Sequence, residues 1–331
     1  MAVLFIATGE SLARVSSRRD GEWSVRLTLE GRGVQCLALD PHHRGTLYAG
    51  TQREGVWKST DEGMTWENTH LAEPAIFSLA VSAADGTLYA GCEPSKLFRS
   101  PDGGRTWQEL EALRQIPSAP TWSFPPRPWT SHVRWIAPCP HEANRLLVGI
   151  ELGGLMLSED GGATWTDHRP GAQRDVHALA WHPDIPGRAY ETGGGGAAWS
   201  RDGGRTWQAV DAGRDRHYCW ALAVDPDDPD CWFISASPGP RQAHYGGHAQ
   251  AQIYRWSGNG PWQSLGGGLP DPLDSMPYAL SFVGGDLFAG LADGCIYVSP
   301  DRGETWRPLA LDGDRLPAIV ALDGFDLPLV A

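Results

Sequence analysis

Apolar residues along the chain fall into short runs that turn-forming residues separate. One run is Cys-Leu-Ala-Leu at 36–39, which an Asp-Pro turn follows, and the next is Leu-Tyr-Ala-Gly at 47–50, repeated at 88–91. Gly-Val-Trp-Lys-Ser at 55–59 continues the series. Runs of this length between Gly, Pro and Asp turns, spaced by about 8–12 residues, are typical of strands in an all-β fold. The pattern predicts a protein built almost entirely of short strands.

A sequence repeat organises these strands. The pattern Ser-x-Asp-x-Gly-x-Thr-Trp occurs five times, and we call these segments the repeat turns: 59–66, 100–107, 158–165, 200–207 and 299–306. Two divergent copies end at Trp23 and Trp262, and the seven tryptophans are 43, 41, 58, 42, 55 and 44 residues apart. A period near 42 is that of a four-stranded propeller blade. The repeat predicts a seven-bladed β-propeller of four-stranded antiparallel blades.

The propeller is expected to form one domain over residues 1–331. Two of the tryptophan intervals are longer than the period, which indicates insertions at about 115–130 and 237–250. Residues 3–8, 11–16 and 23–29 have the pattern of the second, third and fourth strands of a blade without its first. The C-terminal run 317–322 can supply that strand, and the pairing of both ends within one sheet would protect its edges.

Net charge and apolar content exclude some classes of binding partner. The formal net charge is −13, which disfavours binding to a phosphate backbone. No run approaches the 18 or so apolar residues of a membrane span, and the N-terminus has no basic segment typical of a signal peptide. The chain is therefore expected to be cytoplasmic, with no nucleic-acid or membrane partner. The six cysteines contain no CxxC pair, which favours reduced thiols over disulfides or a structural zinc site.

The repeat turn resembles the Asp box, or BNR repeat. This motif is found in sialidases, in xyloglucan-active glycoside hydrolases, in the sortilin receptor domain and in photosystem II assembly factors. The resemblance covers the whole chain through its seven copies, and it is specific for the fold rather than for an activity. It implies that the box lies on the turn between the third and fourth strands, away from the ligand face, and that five carboxylates are structural: Asp61, Asp102, Asp160, Asp202 and Asp301.

Candidate ligand residues follow from aligning the blades. Ligands of propellers usually meet one end of the axial channel, near the starts of the innermost strands, and both insertions are expected over that end. Buried apolar strands do not carry Arg, His, Trp and Tyr at their first positions by chance. The alternative is a wet channel mouth without a ligand. Asp175 shares a register with His132 and Tyr218. The predicted ligand-binding residues are Gln35, Trp129, His132, Arg134, His177, Tyr218, Trp220, Arg241, His244 and Tyr278.

Three functions remain open from the sequence. The first, which we favour slightly, is non-catalytic binding of a small molecule, a glycan or a protein partner in the funnel. The second is glycoside hydrolysis, which needs two carboxylates at a defined separation; the candidates are Glu93, Glu151 and Glu191, with Trp122, Trp129 and Trp220 as rings that stack on sugars. A sialidase is disfavoured, because the chain has no Arg-Ile-Pro-type segment.

The third function is metal-assisted chemistry. No cofactor is predicted outright, but a divalent metal is possible, because imidazole and carboxylate groups suit zinc and related ions. No HExxH-like spacing is present. The histidines that the blade alignment brings to one region are His132, His177, His217, His244 and His248.

Overall fold

The computed structural model describes residues 2–17, 22–124, 130–313 and 315–326. Nearly all regular structure in these ranges is β. The strands are β1 (Ala2–Ala7), β2 (Leu12–Ser17), β3 (Trp23–Thr28), β4 (Val34–Leu39), β5 (Leu47–Thr51), β6 (Val56–Ser59), β7 (Glu67–Asn68), β8 (Ile76–Val81), β9 (Leu88–Cys92), β10 (Leu97–Ser100), β11 (Gln108–Glu109), β12 (Val133–Pro138), β13 (Leu146–Ile150), β14 (Gly154–Ser158), β15 (Val176–Trp181), β16 (Ala189–Gly193), β17 (Gly196–Ser200), β18 (Gln208–Ala209), β19 (Tyr218–Val224), β20 (Cys231–Ser237), β21 (Gln252–Ser257), β22 (Gln263–Ser264), β23 (Pro277–Val283), β24 (Asp286–Leu291), β25 (Ile296–Ser299), β26 (Arg307–Pro308) and β27 (Ala321–Asp326).

The strands form seven sheets, and the pairings resolved within them are antiparallel. Six sheets have four strands, and their orders are β27-β1-β2-β3, β4-β5-β6-β7, β8-β9-β10-β11, β15-β16-β17-β18, β19-β20-β21-β22 and β23-β24-β25-β26. The remaining sheet has the order β12-β13-β14, and Thr166 takes the fourth position through a bridge to Leu157. Seven sheets of this kind are the architecture of a seven-bladed β-propeller, so the predicted fold class is confirmed.

Helical structure is confined, within the described ranges, to the two predicted insertions and the residues beside them. The first contains two short 3₁₀ helices, Glu111–Gln115 and Ala119–Thr121, and the second contains α1 (Pro240–His244). Among the described residues, no helix has the length and apolar character needed to cross a membrane.

The C-terminal strand completes the N-terminal sheet. β27 pairs antiparallel with β1, from Ala2 opposite Asp326 to Ala7 opposite Ala321. The prediction that the C-terminus supplies the missing first strand is confirmed, but the strand lies four residues later than the predicted run 317–322. A backbone bond from the Val320 N–H to the Ala7 carbonyl (2.9 Å) precedes the regular pairing.

The chain packs as two compact units. The first unit comprises residues 1–37 and 212–331, and the second comprises residues 38–211. The core of the second unit includes Leu146, Val148 and Met156, all with no exposed surface. In the first unit, Phe233, Leu287 and Ala289 are likewise fully buried.

Each repeat turn connects the third and fourth positions of its sheet and satisfies its own polar groups. In the turn 59–66, the Ser59 hydroxyl and the Thr65 hydroxyl donate to the Asp61 carboxylate at 2.8 and 2.6 Å. The Thr65 N–H adds a bond of 2.8 Å. The Thr65 hydroxyl is the main reason that the pKa of Asp61 is lowered to about 2. The same serine and threonine bonds form at Asp102, Asp160, Asp202 and Asp301.

Candidate functional site

The predicted register of ligand residues falls on β-bulges. The register slips by one residue at Phe77, Arg134, His177 and Tyr278 in the first strands of four sheets. In β19 it slips between Cys219 and Leu222, around Trp220. A bulge leaves its extra residue outside the ladder and re-aims its side chain, and bulges are common beside active sites. The bulges explain how these strands carry large side chains that do not follow the regular alternation of the sheet.

Two glycines, each in the second strand of its sheet, allow close contact with the first strand of the following sheet. A Cβ on Gly91 would lie 2.5 Å from Val133, and a Cβ on Gly149 would lie 2.4 Å from Val176. Only glycine therefore allows these valines to pack against the preceding sheet. Glu93 stands two residues after Gly91, and Glu151 stands two residues after Gly149. The close packing brings each glutamate next to the histidine that adjoins the valine, His132 or His177.

His132 lies between two carboxylates of the second unit. Its Nε2 is 2.7 Å from Oε2 of Glu151, which is a hydrogen bond, and its Nδ1 is 3.4 Å from Oε2 of Glu93, which is an ion-pair contact. The imidazole is 2% exposed. Phe77 stacks on it with ring centroids 4.0 Å apart, and Phe124 of the first insertion meets it edge-on at 4.9 Å.

Three further side chains extend this cluster. Nε of Arg134 is 3.6 Å from Oε2 of Glu151. Nε2 of His177 is 3.5 Å from Oδ2 of Asp175, whose side chain is 24% exposed. Burial by itself raises the pKa of Glu151, but the His132 hydrogen bond and the neighbouring positive charges outweigh it, so the pKa is lowered. We call this cluster the acidic centre: Glu93, His132, Arg134, Glu151, Asp175 and His177.

Glu191 does not join the acidic centre. It lies in the middle of β16, where related sheets carry alanine, as at Ala49 and Ala90. Its side chain is completely buried; Oε2 accepts a bond from the Gln173 N–H at 3.0 Å, and Oε1 has no hydrogen-bond partner among the described residues. Burial raises its pKa well above the ordinary value. A carboxyl enclosed in this way cannot reach a substrate, although the sequence makes it a catalytic candidate.

A second cluster of side chains, around His244, lies in the first unit. His244, at the end of α1, contacts the hydroxyl of Tyr218 through Nε2 and that of Tyr278 through Nδ1, both at 2.7 Å. Trp220 packs against the imidazole at 4.8 Å and against Tyr278 at 5.2 Å. We call these four residues the aromatic centre. A cavity of about 150 Å³ lies beside it, lined in part by Gln242, His244, Tyr245, Asp274, Tyr278 and Asp293.

The other predicted residues are not members of either centre. Gln35 is half-buried in β4, and Arg241 is exposed on α1. His217 and His248 are exposed, and neither hydrogen-bonds to the aromatic centre in the part of the chain that the structure describes. Trp129 lies outside the described residues. Trp122 is 7% exposed and packs in a core cluster, which leaves little of its ring to stack on a sugar.

The histidines that the sequence predicts as metal ligands are divided between the two units. Within the described ranges, one group of three or more His, Cys, Asp or Glu side chains has its ligand atoms within 4.8 Å of one another: Glu151, Asp175 and His177. Only His177 of the five predicted histidines belongs to it. Blade alignment places Asp175 in the register of His132 without a role, and it misses Phe124, whose position in an insertion carries no periodic signal.

No family model matches the chain, and no curated protein matches it. Solved structures match over most of its length. A family 74 xyloglucanase from Xanthomonas campestris aligns with a TM-score of 0.65 at 19% identity, over 83% of this chain and 45% of that one. YCF48 from Cyanidioschyzon merolae aligns with a TM-score of 0.58 at 13% identity, over 86% of both chains. The WD40 propeller domain of Doa1 aligns with a TM-score of 0.64 at 14% identity, over 92% of this chain and 91% of that one.

These likenesses show the fold alone, because each identity is below 25%. The chain spans less than half the length of that xyloglucanase and of an ancestral GH74 enzyme, of which it covers 38%. YCF48 has also been solved bound to a D1 peptide. Propellers with this architecture therefore include both enzymes and peptide-binding proteins.

Proposed function

We propose that this chain is an Asp-box propeller that binds a small hydroxyl-rich ligand, of the glycan class, at the acidic centre without catalysing a reaction on it. The repeat turns support the Asp-box assignment, because all five carboxylates are satisfied within their own turns. The proposal places the function in the second unit, where charged acceptors and a guanidinium donor are grouped.

One observation carries this proposal: Glu93 and Glu151 face the same imidazole from opposite sides, with Arg134 and Asp175 partly exposed beside them. Carboxylate oxygens accept bonds from ligand hydroxyls, and the Arg134 guanidinium donates to ligand oxygens. A few convergent polar groups of this kind are typical of small-ligand sites. The lowered pKa of Glu151 keeps that carboxyl ionised at neutral pH, so it accepts hydrogen bonds and is a poor proton donor.

Isothermal titration with xyloglucan oligosaccharides and other neutral oligosaccharides tests the proposal. We expect saturable binding by the native chain and at least tenfold weaker binding by Arg134→Ala, because a charged hydrogen bond is worth about 1.5–3 kcal/mol. The matched control is His244→Phe, which changes the aromatic centre and should bind as the native chain does. Failure of the whole panel to bind, or equal affinity in Arg134→Ala, would overturn the proposal.

Glycoside hydrolysis is the second candidate, and one distance favours it. Because both oxygens touch one imidazole, the Glu93 and Glu151 carboxylates are at most about 8 Å apart, which overlaps the roughly 6.5–9.5 Å separation in inverting glycosidases. Such an enzyme also needs a carboxylic acid that donates a proton, and the lowered pKa of Glu151 opposes this role.

Turnover of aryl glycosides separates the two candidates. Under the binding proposal, the native chain hydrolyses them no faster than the buffer blank. Hydrolysis that both Glu93→Gln and Glu151→Gln abolish, with folding unchanged by circular dichroism, would replace the binding proposal by the hydrolase.

A further inference from the structure

We propose that Glu151, Asp175 and His177 form a binding site for one divalent transition-metal ion. The ligand atoms of the three side chains lie within 4.8 Å of one another. Around an ion at about 2.0–2.2 Å from each ligand, tetrahedral geometry would place the ligand atoms about 3.4 Å apart. The side chains therefore need to close by little more than an ångström.

The chemistry of the ligand set selects the class of ion. One imidazole and two carboxylates suit zinc and manganese better than calcium, which takes six or more oxygens. The set also differs from the five histidines that the sequence predicts as ligands, since it uses two carboxylates and only His177 from that group.

The local charge favours a dication. Three carboxylates, those of Glu93, Glu151 and Asp175, lie beside the two imidazoles, and Nε of Arg134 is 3.6 Å from Glu151. A bound dication would compensate these charges in a place where water is largely excluded, since His177 has no exposed side-chain surface and Glu151 has 9%.

Neighbouring groups hold the ligands in position. The Glu151 carboxylate is hydrogen-bonded by His132 at 2.7 Å, the kind of outer contact that orients metal-bound carboxylates. Asp175 lies against a glycine run: a Cβ on Gly194 would stand 2.1 Å from its Oδ2, and a Cβ on Gly193 would stand 2.2 Å from its carbonyl oxygen. These glycines leave the room that the Asp175 loop occupies.

The Asp175 carboxylate combines an unused ligand atom with access from solvent. Its Oδ1 is buried and has no hydrogen-bond partner among the described residues. The side chain as a whole is 24% exposed, whereas those of Glu151 and His177 are nearly enclosed. An ion can therefore reach the site from the side of Asp175 without opening the sheets.

Calorimetric titration of the full chain with zinc chloride or manganese chloride, after removal of metals by a chelator, tests the proposal. We expect one equivalent of ion per chain and at least tenfold weaker binding by Asp175→Asn, which keeps the shape of the side chain and removes its charge. Matched controls are Asp293→Asn and His244→Gln, which alter an aspartate and a histidine of the first unit and should bind the ion as the native chain does.

Anomalous diffraction from zinc-soaked crystals provides a second measurement that does not depend on a variant. A peak between Glu151, Asp175 and His177 supports the site. The absence of binding, equal affinity in Asp175→Asn, or a peak beside His244 would overturn it. The titration contains no sugar, so its failure leaves the glycan proposal standing, and a failed sugar titration leaves the metal site standing.

Discussion

His132 of the acidic centre and His244 of the aromatic centre have contrasting surroundings. His132 of the second unit has a carboxylate oxygen near each ring nitrogen, at 2.7 and 3.4 Å, and is 2% exposed. His244 of the first unit has a phenol hydroxyl 2.7 Å from each nitrogen and is exposed. Each is also approached by a predicted insertion, since the first supplies Phe124 and the second supplies His244 itself.

The two imidazoles differ in the charge of the groups around them. A ring beside two buried carboxylates contacts charges that water solvates poorly, and its hydrogen bond to Glu151 compensates part of that cost. A ring between two phenols needs no charge, because a hydroxyl can donate to one nitrogen and accept from the other. We therefore expect the acidic centre to govern stability and ion binding, and the aromatic centre to contribute mainly local packing of α1.

Removal of the His132 ring should have the largest effect. In His132→Ala the Glu93 and Glu151 carboxylates stay buried without their shared partner, and breaking a buried ion pair costs about 3–5 kcal/mol. Urea denaturation at pH 7 measures the free energy of unfolding. The double variant His132→Ala/Glu151→Gln should recover part of the loss. A loss below about 1 kcal/mol in the single variant would contradict the distinction between the two centres.

The buried carboxyl of Glu191 should make the stability of the second unit depend on pH. Its pKa is raised in the folded chain, so the unfolded chain releases this proton first as the pH rises. Between the two pKa values the stability of the native chain therefore falls with rising pH, by about 1.4 kcal/mol per pH unit. Glu191→Gln should remove this fall and gain stability over the native chain above about pH 5.

Glu151 should show the opposite dependence. Because its pKa is lowered in the fold, its contribution is complete above the unfolded value and is lost as the pH falls through the folded value. Urea denaturation from pH 4 to pH 8 measures both effects. The control is Glu10→Gln at an exposed position. If the stability of Glu191→Gln parallels that of the native chain at every pH, the Glu191 carboxyl is solvated and the comparison fails.

Replacement of the His244 ring should have a smaller effect. His244→Phe keeps an aromatic ring against Trp220 but loses both phenol contacts, and we expect a loss of about 1–2 kcal/mol from two hydrogen bonds. Thermal denaturation measures it, with the zinc titration as a second readout that should not change. A loss as large as that of His132→Ala would remove the contrast between the centres.

The two tyrosines of the aromatic centre should have the smallest effects. Tyr278→Phe removes one hydroxyl from an imidazole that solvent can reach, so we expect a loss of about 0.5–1 kcal/mol. Tyr218→Phe should lower the free energy of unfolding by more, because Tyr218 is only 7% exposed and the substitution leaves a more deeply buried contact unmade. The two variants are compared by urea denaturation, and the reverse order would show that Tyr278 is the principal anchor of α1.

The periodic features of the fold are predictable from the sequence, and the aperiodic ones are not. Seven tryptophans at a regular spacing indicate seven sheets, and the repeat turns satisfy their aspartates locally, so this chemistry depends on adjacent residues. The apolar pattern assigns the last strand to the correct sheet but four residues early, because strand bounds depend on the partner strand. Blade alignment also selects His132, Arg134, His177 and Tyr278, because all four stand at the start of an innermost strand.

The roles of these residues depend on tertiary packing. Alignment places Glu93 and Glu151 at one position and Glu191 two residues earlier in its own blade, and all three are catalytic candidates. In the structure, Gly91 and Gly149 bring the first two beside histidines, whereas Glu191 is enclosed within its own sheet. Likewise, the sequence groups five histidines as metal ligands, although the compact group contains Glu151, Asp175 and His177.

The number of sheets, their strand order and the hydrogen bonding within the repeat turns can all be read from the amino-acid sequence, since they follow from repeated local patterns. Three-dimensional packing sets which glutamates contact a histidine, which ring nitrogens they face, and that Glu191 is completely buried. Those outcomes depend on contacts between residues tens of positions apart, where the presence or absence of a single Cβ sets the approach of two sheets.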